Sequence, residues 1–521
     1  MKNEIKKNTS NKIKLAFFLG RRFTYIGHTI AILLKERHGL NNFCAYVAMR
    51  SGFNFLKSQK DIQYNQLFLA EDVFAKYKNE KIDLDYIKSL EHEFGLPSLW
   101  PYIVLDRVLI SNLFLRAYPS DTPKYSHEDM LKIFQVIART VIEFFDKEKP
   151  NFILFSAITD LGTLLLYEAA KKRNIKTLFI CSVRIDNFYI LSERYDNYSD
   201  LNELFIKMRQ NMDSLENQQY KKMAKNFLIS FQNKPTYYVE KSKAASYFLE
   251  DYASLIYHFR FLSPFRIGQT IRWFLKTHYD YFINKAGDRD DFTTKKPWWE
   301  AWDKLVRKIR VLVGYGDLYD KEKDGEDYAY FALHLEPESL PTLVAPFYTD
   351  QKWLIKQIAR SLPVHYKLYV KDHSKMLGLR TRSYYKELKK NPNVKLIDPA
   401  VSSFELIKKS KLVINIVGTA SLEAALMKKP VIMFGNIFFD KLSMVKICHN
   451  IQDLPSLIKS QLENSSYDND ELIAFLMAIY KESAAIDFVQ LWSLEGGSRS
   501  NENKQKLIPF VDLIAKKLKI D

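Results

Sequence analysis

KLVINIVGTASLEAALMKKPVIMFG, residues 411–435, is the stretch whose pattern decides the fold. An apolar run rich in branched residues, 412–417, stops at Gly418. Thr419 can then open a helix, and Lys428-Lys429-Pro430 closes it before a second apolar run, 431–434. The pattern predicts strand, turn, helix and strand, with the turn at the carboxyl end of a parallel sheet, the side on which such sheets bind ligands. Gly418 lets the backbone approach a bound group closely, and the free amides of the helix's first turn favour an anion such as phosphate. Glu423 stands one helical turn past Thr419, near the same mouth. A capping box would need its acid at 422, which is Leu, so a capping role fits Glu423 poorly. The corner reads as a nucleotide-binding one.

Outward from it, the chain from Asp327 on alternates. Strands are predicted at 328–335, 366–371, 394–397, 412–417, 431–434 and 444–447, with helices near 351–361, 383–389, 402–409 and 419–427 and a mostly helical tail over 451–518. The first half alternates too. Strands are predicted at 13–20, 43–49, 66–70, 152–156 and 177–183, helices at 72–94, 104–116, 126–148 and 161–173, and a helical segment near 200–231. Strands alternating with helices imply parallel sheets covered on both faces. The expected fold is α/β, two Rossmann-like doubly wound domains with a helical basic-aromatic insertion between them. The boundaries are 1–235, the first Rossmann-like domain; 236–325, the connecting region; 326–465, the second Rossmann-like domain; and 466–521, a helical tail. A ligand crevice is expected between the domains.

The connecting region is dense in Tyr, Phe, Trp, Lys and Arg, as in PFRIGQTIRWFLKTHYDYF and KKPWWEAWDKLVRKIRVLVGY. It is either a helical insertion packed on the domains or a surface that rests on an anionic membrane, with Trp and Tyr at headgroup level. GDRDDFTTKKP, 287–297, reads as an exposed loop.

Composition bounds the class. The chain's 521 residues suffice for two core-forming domains, and 47% hydrophobic with 14% aromatic residues marks a globular protein. No apolar run approaches the ~18–20 residues a membrane span needs. MKNEIKKNTSNK has no apolar core of a secretory signal, so the expected location is cytoplasmic. Cys44, Cys181 and Cys448 give neither a disulfide framework nor a metal spacing. The net charge of +17 suits anionic lipid, phosphorylated substrates or nucleic acid. The chain shows no helix-turn-helix, zinc-finger or RNA-recognition signature, which argues against the last. Part of the excess is compositional, since Lys is abundant throughout.

Three strand ends of the second half carry polar clusters. FALHLEPES supplies His334, Glu336 and Glu338; LYVKDHSKM supplies Lys371, Asp372 and His373; the corner supplies Gly418, Thr419, Ser421 and Glu423. Successive strand ends of one parallel sheet converge on one crevice, so the clusters can share a ligand. Plain alternatives exist for each. His334 could be a satisfied strand-edge histidine, one of Glu336 and Glu338 a solvated turn residue, Lys371 a surface lysine, and Thr419 and Ser421 helix caps. As ligand residues, Lys371 would counter phosphate charge, and His373 could donate to a leaving phosphate. If strand alternation ran on to 338, both glutamates would share a face with His334.

LHLEPES, then VKDH, then GTASLEAALMKKPVIMFG resembles the capsule polysaccharide biosynthesis family, which includes bacterial transferases of the acidic sugar Kdo. His334 with Pro337-Glu338 matches the family's first element and Lys371 with His373 its second, with Ser374 where a proline is expected. Gly418, Thr419, Glu423 and Ala424 match its third. The resemblance spans 328–437. It implies a GT-B architecture whose C-terminal domain holds a nucleotide-sugar donor, and no obligatory metal or other cofactor, helix dipole, Lys and His doing that work on the phosphate. The Ser374 departure leaves the donor sugar open.

The implied mechanism, if it inverts the sugar, needs a base from the first half; retention is the open alternative. Asp160, in FSAITDLG just past a strand end, is the first candidate, although an Asp before a helix is commonly an N-cap. His28, in GRRFTYIGHT, and Arg184, after the strand ending at 183, are candidates for the acceptor side; Arg184 could bind an anionic sugar or lipid phosphate. The favoured reading is a glycosyltransferase building a surface glycan from a nucleotide-sugar donor and a glycan or lipid-linked acceptor, peripheral on the inner membrane face. Its rivals are a two-domain nucleotide-sugar epimerase, a non-catalytic nucleotide-sugar-binding component of an export complex, and nucleic-acid binding through the basic middle.

Overall fold

The structure is a computed structural model, and it describes residues 13–111, 123, 125–236, 263–282, 297–336, 338–493 and 501–520. Apolar runs such as KLAFFL and NFCAYV form β1 (Lys14–Leu19) and β2 (Asn42–Val47), followed by β3 (Tyr64–Leu69), β4 (Phe152–Phe155), β5 (Lys176–Ser182) and β6 (Phe188–Ser192). The second half supplies β7 (Tyr328–Ala332), β8 (Lys367–Lys371), β9 (Val394–Ile397), β10 (Leu412–Asn415), β11 (Val431–Met433) and β12 (Val445–Ile447). A two-residue strand, β13 (Ala484–Ala485), follows.

The strands form two sheets. The first has the order β13-β6-β5-β4-β1-β2-β3, and the second β12-β11-β10-β7-β8-β9. The second is parallel throughout. The first is parallel from β5 to β3, with β6 and β13 antiparallel at its edge. Each sheet starts at its centre, builds outward to one side, then returns to build the other. That is the doubly wound order, and it creates a switch point between β1 and β4 and another between β7 and β10. The chain is thus two Rossmann-like domains, as the alternation predicted.

Their relative position is fixed by shared core. Tyr198 stacks on Phe438 at 4.9 Å, Phe205 meets Phe475 edge-on at 5.9 Å, and Phe231 meets Phe404 at 6.0 Å. Fully buried aromatics of this kind each contribute about 1.5–3 kcal/mol of burial. The tail returns to the first domain. Helix Asn469–Glu482 packs against helices Ser199–Gln210 and Gln218–Asn233, and helix Asn501–Leu518 covers helix Phe23–His38.

Several elements differ from expectation. The helix expected over 72–94 is divided into Ala70–Phe74, a 3-10 turn Ala75–Asn79, and Leu84–Phe94, because the Asp83 side chain accepts from the Tyr86 amide and starts a new helix. The helix expected over 104–116 breaks at Asp106, whose carboxylate accepts from the Val108 amide at 3.0 Å and the Leu161 amide at 3.2 Å; 112–116 lie outside the described residues. β6 was not foreseen. It turns back from β5 through Arg184 and Asp186, both left-handed at φ 58° and 45°. The loop expected at 287–297 also falls almost wholly outside the described residues.

At the second switch point β7 and β10 pair only through Leu412–Ala329 and Val413–Tyr330 before they part. The Ala332 amide therefore takes a side chain instead: Asn415 Oδ1 at 2.9 Å, while Asn415 Nδ2 donates to Ser421 Oγ at 3.1 Å. Replacing Asn415 with Ala leaves a buried amide without its acceptor, so the midpoint of urea denaturation should fall by the equivalent of about 1–3 kcal/mol. Replacing Ser443, far from the switch point, should leave the Asn415 effect unchanged when the two are combined.

Candidate active site

The cleft lies where β7 and β10 diverge. His334, Glu338, Lys371, His373, Gly418, Thr419 and Glu423 line one cavity of about 750 Å³, and Arg184 joins them from the first domain. That volume is in the range of small-molecule sites. Three strand ends named from sequence therefore meet, with one residue from across the cleft.

Gly418 shapes the floor. Its φ of 120° is closed to L side chains, and an added Cβ would stand 3.1 Å from His334 Cε1. It precedes helix Thr419–Leu426, which has no side-chain cap, so the first-turn amides open toward the cavity. Ser421 is corrected. It is fully buried, bonds to Asn415 and does not line the cleft, so it positions the corner instead of touching a ligand.

Lys371 ends β8 almost fully buried, its Nζ 2.8 Å from Ser403 Oγ. Burial pushes its pKa down to about 8, partly opposed by the carboxylates of Glu423 and Asp398. His373 sits at the mouth of the cleft. The Lys375 amide donates to its Nδ1 at 3.1 Å, so the proton of the neutral ring is on Nε2. Packing around the ring also pushes its pKa down, to about 4.

His334 Nδ1 lies 3.3 Å from Glu338 Oε2. Burial raises the Glu338 carboxyl, but the His334 hydrogen bond and the charges of His334 and Arg184 outweigh it, and its pKa falls below the usual range. When the His334 ring is neutral, an ionised Glu338 holds its proton on Nδ1 and leaves Nε2 as an acceptor; that atom is buried with no protein partner. β7 ends at Ala332, so strand alternation does not carry to 338. Glu336 turns away instead and pairs with Arg380 at 3.0 Å. Pro337 lies outside the described residues.

Sequence reasoning missed the support beneath these groups. Arg380, fully buried, pairs with Asp372, donates to the His334 carbonyl at 2.7 Å and bonds Glu336, while the Tyr385 hydroxyl donates to Asp372. This clamp ties the ends of β7 and β8 together, and nothing in the local pattern around 380 signals it. Asn415 had a signal: one amide side chain inside the apolar run LVINIV.

The first-domain candidates fare differently. Arg184 stands in the cleft wall. Asp160 caps helix Leu161–Lys172, its Oδ1 accepting from the Thr163 amide at 2.9 Å and its Oδ2 from the Thr159 hydroxyl at 2.9 Å, and it does not line the cleft. Its charge, after burial, raises the neighbouring Asp106 to about 6. His28 is corrected: it is fully buried, its Nδ1 3.1 Å from the Tyr64 hydroxyl and its ring edge-on to Phe55, inside the first domain and away from the cleft. Among the described residues, no three His, Cys, Asp or Glu side chains group as they would around a metal ion.

Fold and cleft together define a two-domain Rossmann-like protein with a ligand site at its second switch point. Residues 347–446 match the sequence model of the family described as capsule polysaccharide biosynthesis protein. The segment holds β8 to β11 and reaches into β12, and so includes Lys371, His373 and the Gly418 corner; His334 and Glu338 precede it. No curated protein matches the chain. Similar solved structures include a UDP-GlcNAc 2-epimerase from Neisseria meningitidis bound to UDP-GlcNAc, 11% identical, covering 90% of this chain and 99% of that one, TM-score 0.23. Two others are from Thermosulfurimonas dismutans KpsC. The beta Kdo 2,4 transferase is 10% identical, covering 66% of this chain and 84% of that one at TM-score 0.36. The beta Kdo 2,7 transferase is 12% identical, covering 80% and 97% at 0.31. At scores this low the architecture is judged by the strand order itself.

Lys371 makes the site testable by pH. An anion bound beside its ammonium raises its pKa above the free value of about 8. Affinity for a nucleotide phosphate should therefore be flat below pH 8 and fall above it, by at most tenfold per pH unit. Calorimetric titration from pH 7 to 9.5 checks this, and Lys371→Met should both weaken binding and flatten the pH profile.

Proposed function

We propose that the protein is a glycosyltransferase of capsule-type surface-glycan synthesis, moving a sugar from a nucleotide-sugar donor to a polysaccharide or lipid-linked acceptor. One observation carries the reading: Lys371, His373 and the uncapped helix after Gly418 converge on one cavity from separate strand ends. A cation, a neutral N–H donor and a helix amino end are complementary to a departing phosphate.

The roles follow from the protons. His373 Nε2–H donates to a phosphate oxygen. Lys371 and the first-turn amides from Thr419 stabilise the charge that grows as the sugar–phosphate bond breaks, work that needs no metal ion. Glu423, beside Lys371, is placed to accept hydroxyls of the nucleoside. His334 Nε2, oriented through Nδ1 by Glu338, is an acceptor positioned to take the proton of the attacking hydroxyl. Asp160 is the alternative base, although both its carboxylate oxygens already serve the helix cap. Arg184, facing Glu338 from the first domain, suits an anionic acceptor such as an acidic sugar or a lipid phosphate.

Thermal shifts with cytidine, uridine and guanosine sugar nucleotides test the donor site. One series should stabilise the protein by about 2.7 kcal/mol at a hundredfold excess over its dissociation constant, and His373→Ala and Glu423→Ala should each reduce that shift. Incubation of the same nucleotide sugar without acceptor should leave it unchanged apart from slow hydrolysis. Isomerisation of the sugar under those conditions would make the protein an epimerase.

A further inference from the structure

The helices Pro264–Phe282 and Pro297–Val313 turn their apolar stripes outward. In the first, Ile267, Ile271, Phe274, Leu275 and Phe282 recur at helical spacing, all exposed; in the second, Trp298, Trp302, Leu305, Ile309 and Leu312 do the same. Trp302 and Leu275 are 62% and 63% exposed. A surface helix of a globular protein ordinarily points such a stripe at its core, and exposed apolar surface of this extent marks an interaction site.

The two helices pack on each other through Trp273, which carries Lys304 Nζ 3.2 Å from its ring centre, and through Trp298, which meets Tyr281 edge-on at 5.3 Å. The second helix is anchored to the catalytic half. Arg310 donates to the Leu379 carbonyl at 2.6 Å, and Gly378, left-handed at φ 78°, passes so close that an added Cβ would stand 2.8 Å from Val311. Tyr315, just beyond, donates to the Arg380 carbonyl at 2.9 Å. The hairpin is thus mounted on the loop whose Arg380 clamps the cleft.

We propose that this helix pair is a docking element for the headgroup region of an anionic lipid bilayer. The pair carries seven Lys or Arg against three Asp or Glu. Cations and apolar groups share a face: Arg272 and Lys276 line the same shallow groove as Ile271, Leu275 and Tyr279. Protein interfaces deplete Lys at their centre. Lipid phosphates above acyl chains ask for this interleaving, with Trp and Tyr at the boundary. No helix among the described residues is long and apolar enough to cross a membrane, so the helices lie along the surface. The proposal goes beyond the glycosyltransferase reading and does not depend on it.

Flotation of the full chain with phosphatidylcholine vesicles, with and without phosphatidylglycerol, tests it. The protein should float with the anionic vesicles, and high salt should release it. Trp302→Glu with Leu305→Glu, and separately Arg272→Glu with Lys276→Glu, should each weaken binding roughly tenfold or more. An unchanged melting temperature and retained nucleotide-induced stabilisation would show that fold and cleft survive. Flotation that is absent, or indifferent to both pairs of substitutions, overturns the proposal. So does an oligomer in sedimentation velocity that Trp302→Glu with Leu305→Glu dissolves without any vesicle binding, which would make the face an interface between copies.

Discussion

A fully buried guanidinium holds the site together. Arg380 spans the loops after β7 and β8, pairing with Asp372 and Glu336 and fixing the His334 carbonyl. Burying a charge is tolerable only where partners replace its water, and removing one partner of such a set costs about 3–5 kcal/mol because the rest stay buried and uncompensated. The clamp therefore makes two strand ends a single rigid unit. Asn415 does the same on the other side of the switch point, satisfying the amide that the parting of β7 and β10 leaves without a ladder partner.

On that frame the cleft sorts two histidines into opposite roles by their second nitrogens. His373 accepts at Nδ1 and so offers a proton at Nε2; His334 faces an ionised Glu338 at Nδ1 and so offers a lone pair at Nε2. Lys371 adds a cation held near its titration point by burial. An arrangement with a donor, an acceptor and a tunable cation around a helix amino end suits transfer away from a phosphate, and the first domain contributes Arg184 across the gap.

Much of this was legible in the chain. The corner at 411–435 was readable because a short apolar run, a Gly and a helix of different period cannot be confused with one long element. The convergence of three clusters followed from parallel strands ending on one side. Side-chain bookkeeping was less visible. Ser421 looked like a ligand residue because nothing local shows that Asn415 needs its hydroxyl. His28 looked accessible after a loop, yet its helix, FTYIGHTIAILLKERH, is apolar around most of its circumference. That all-round pattern marks a buried helix, and the tail helix Asn501–Leu518 supplies the cover from far along the sequence. Asp160 reads equally as a cap or a base from sequence; its two bonded oxygens show the cap. The return of the tail to the first sheet depends on which apolar faces find each other, which spacing alone does not specify.

The central claim is that one nucleotide phosphate bridges the three strand ends. Diffraction from crystals of the protein with the nucleotide that stabilises it best examines that claim most directly. The account predicts the sugar-bearing phosphate within hydrogen-bond distance of the Thr419 and Ala420 amides, Lys371 Nζ and His373 Nε2. A nucleotide bound at the first domain's switch point, or in the cleft with its phosphate turned away from these groups, would contradict it.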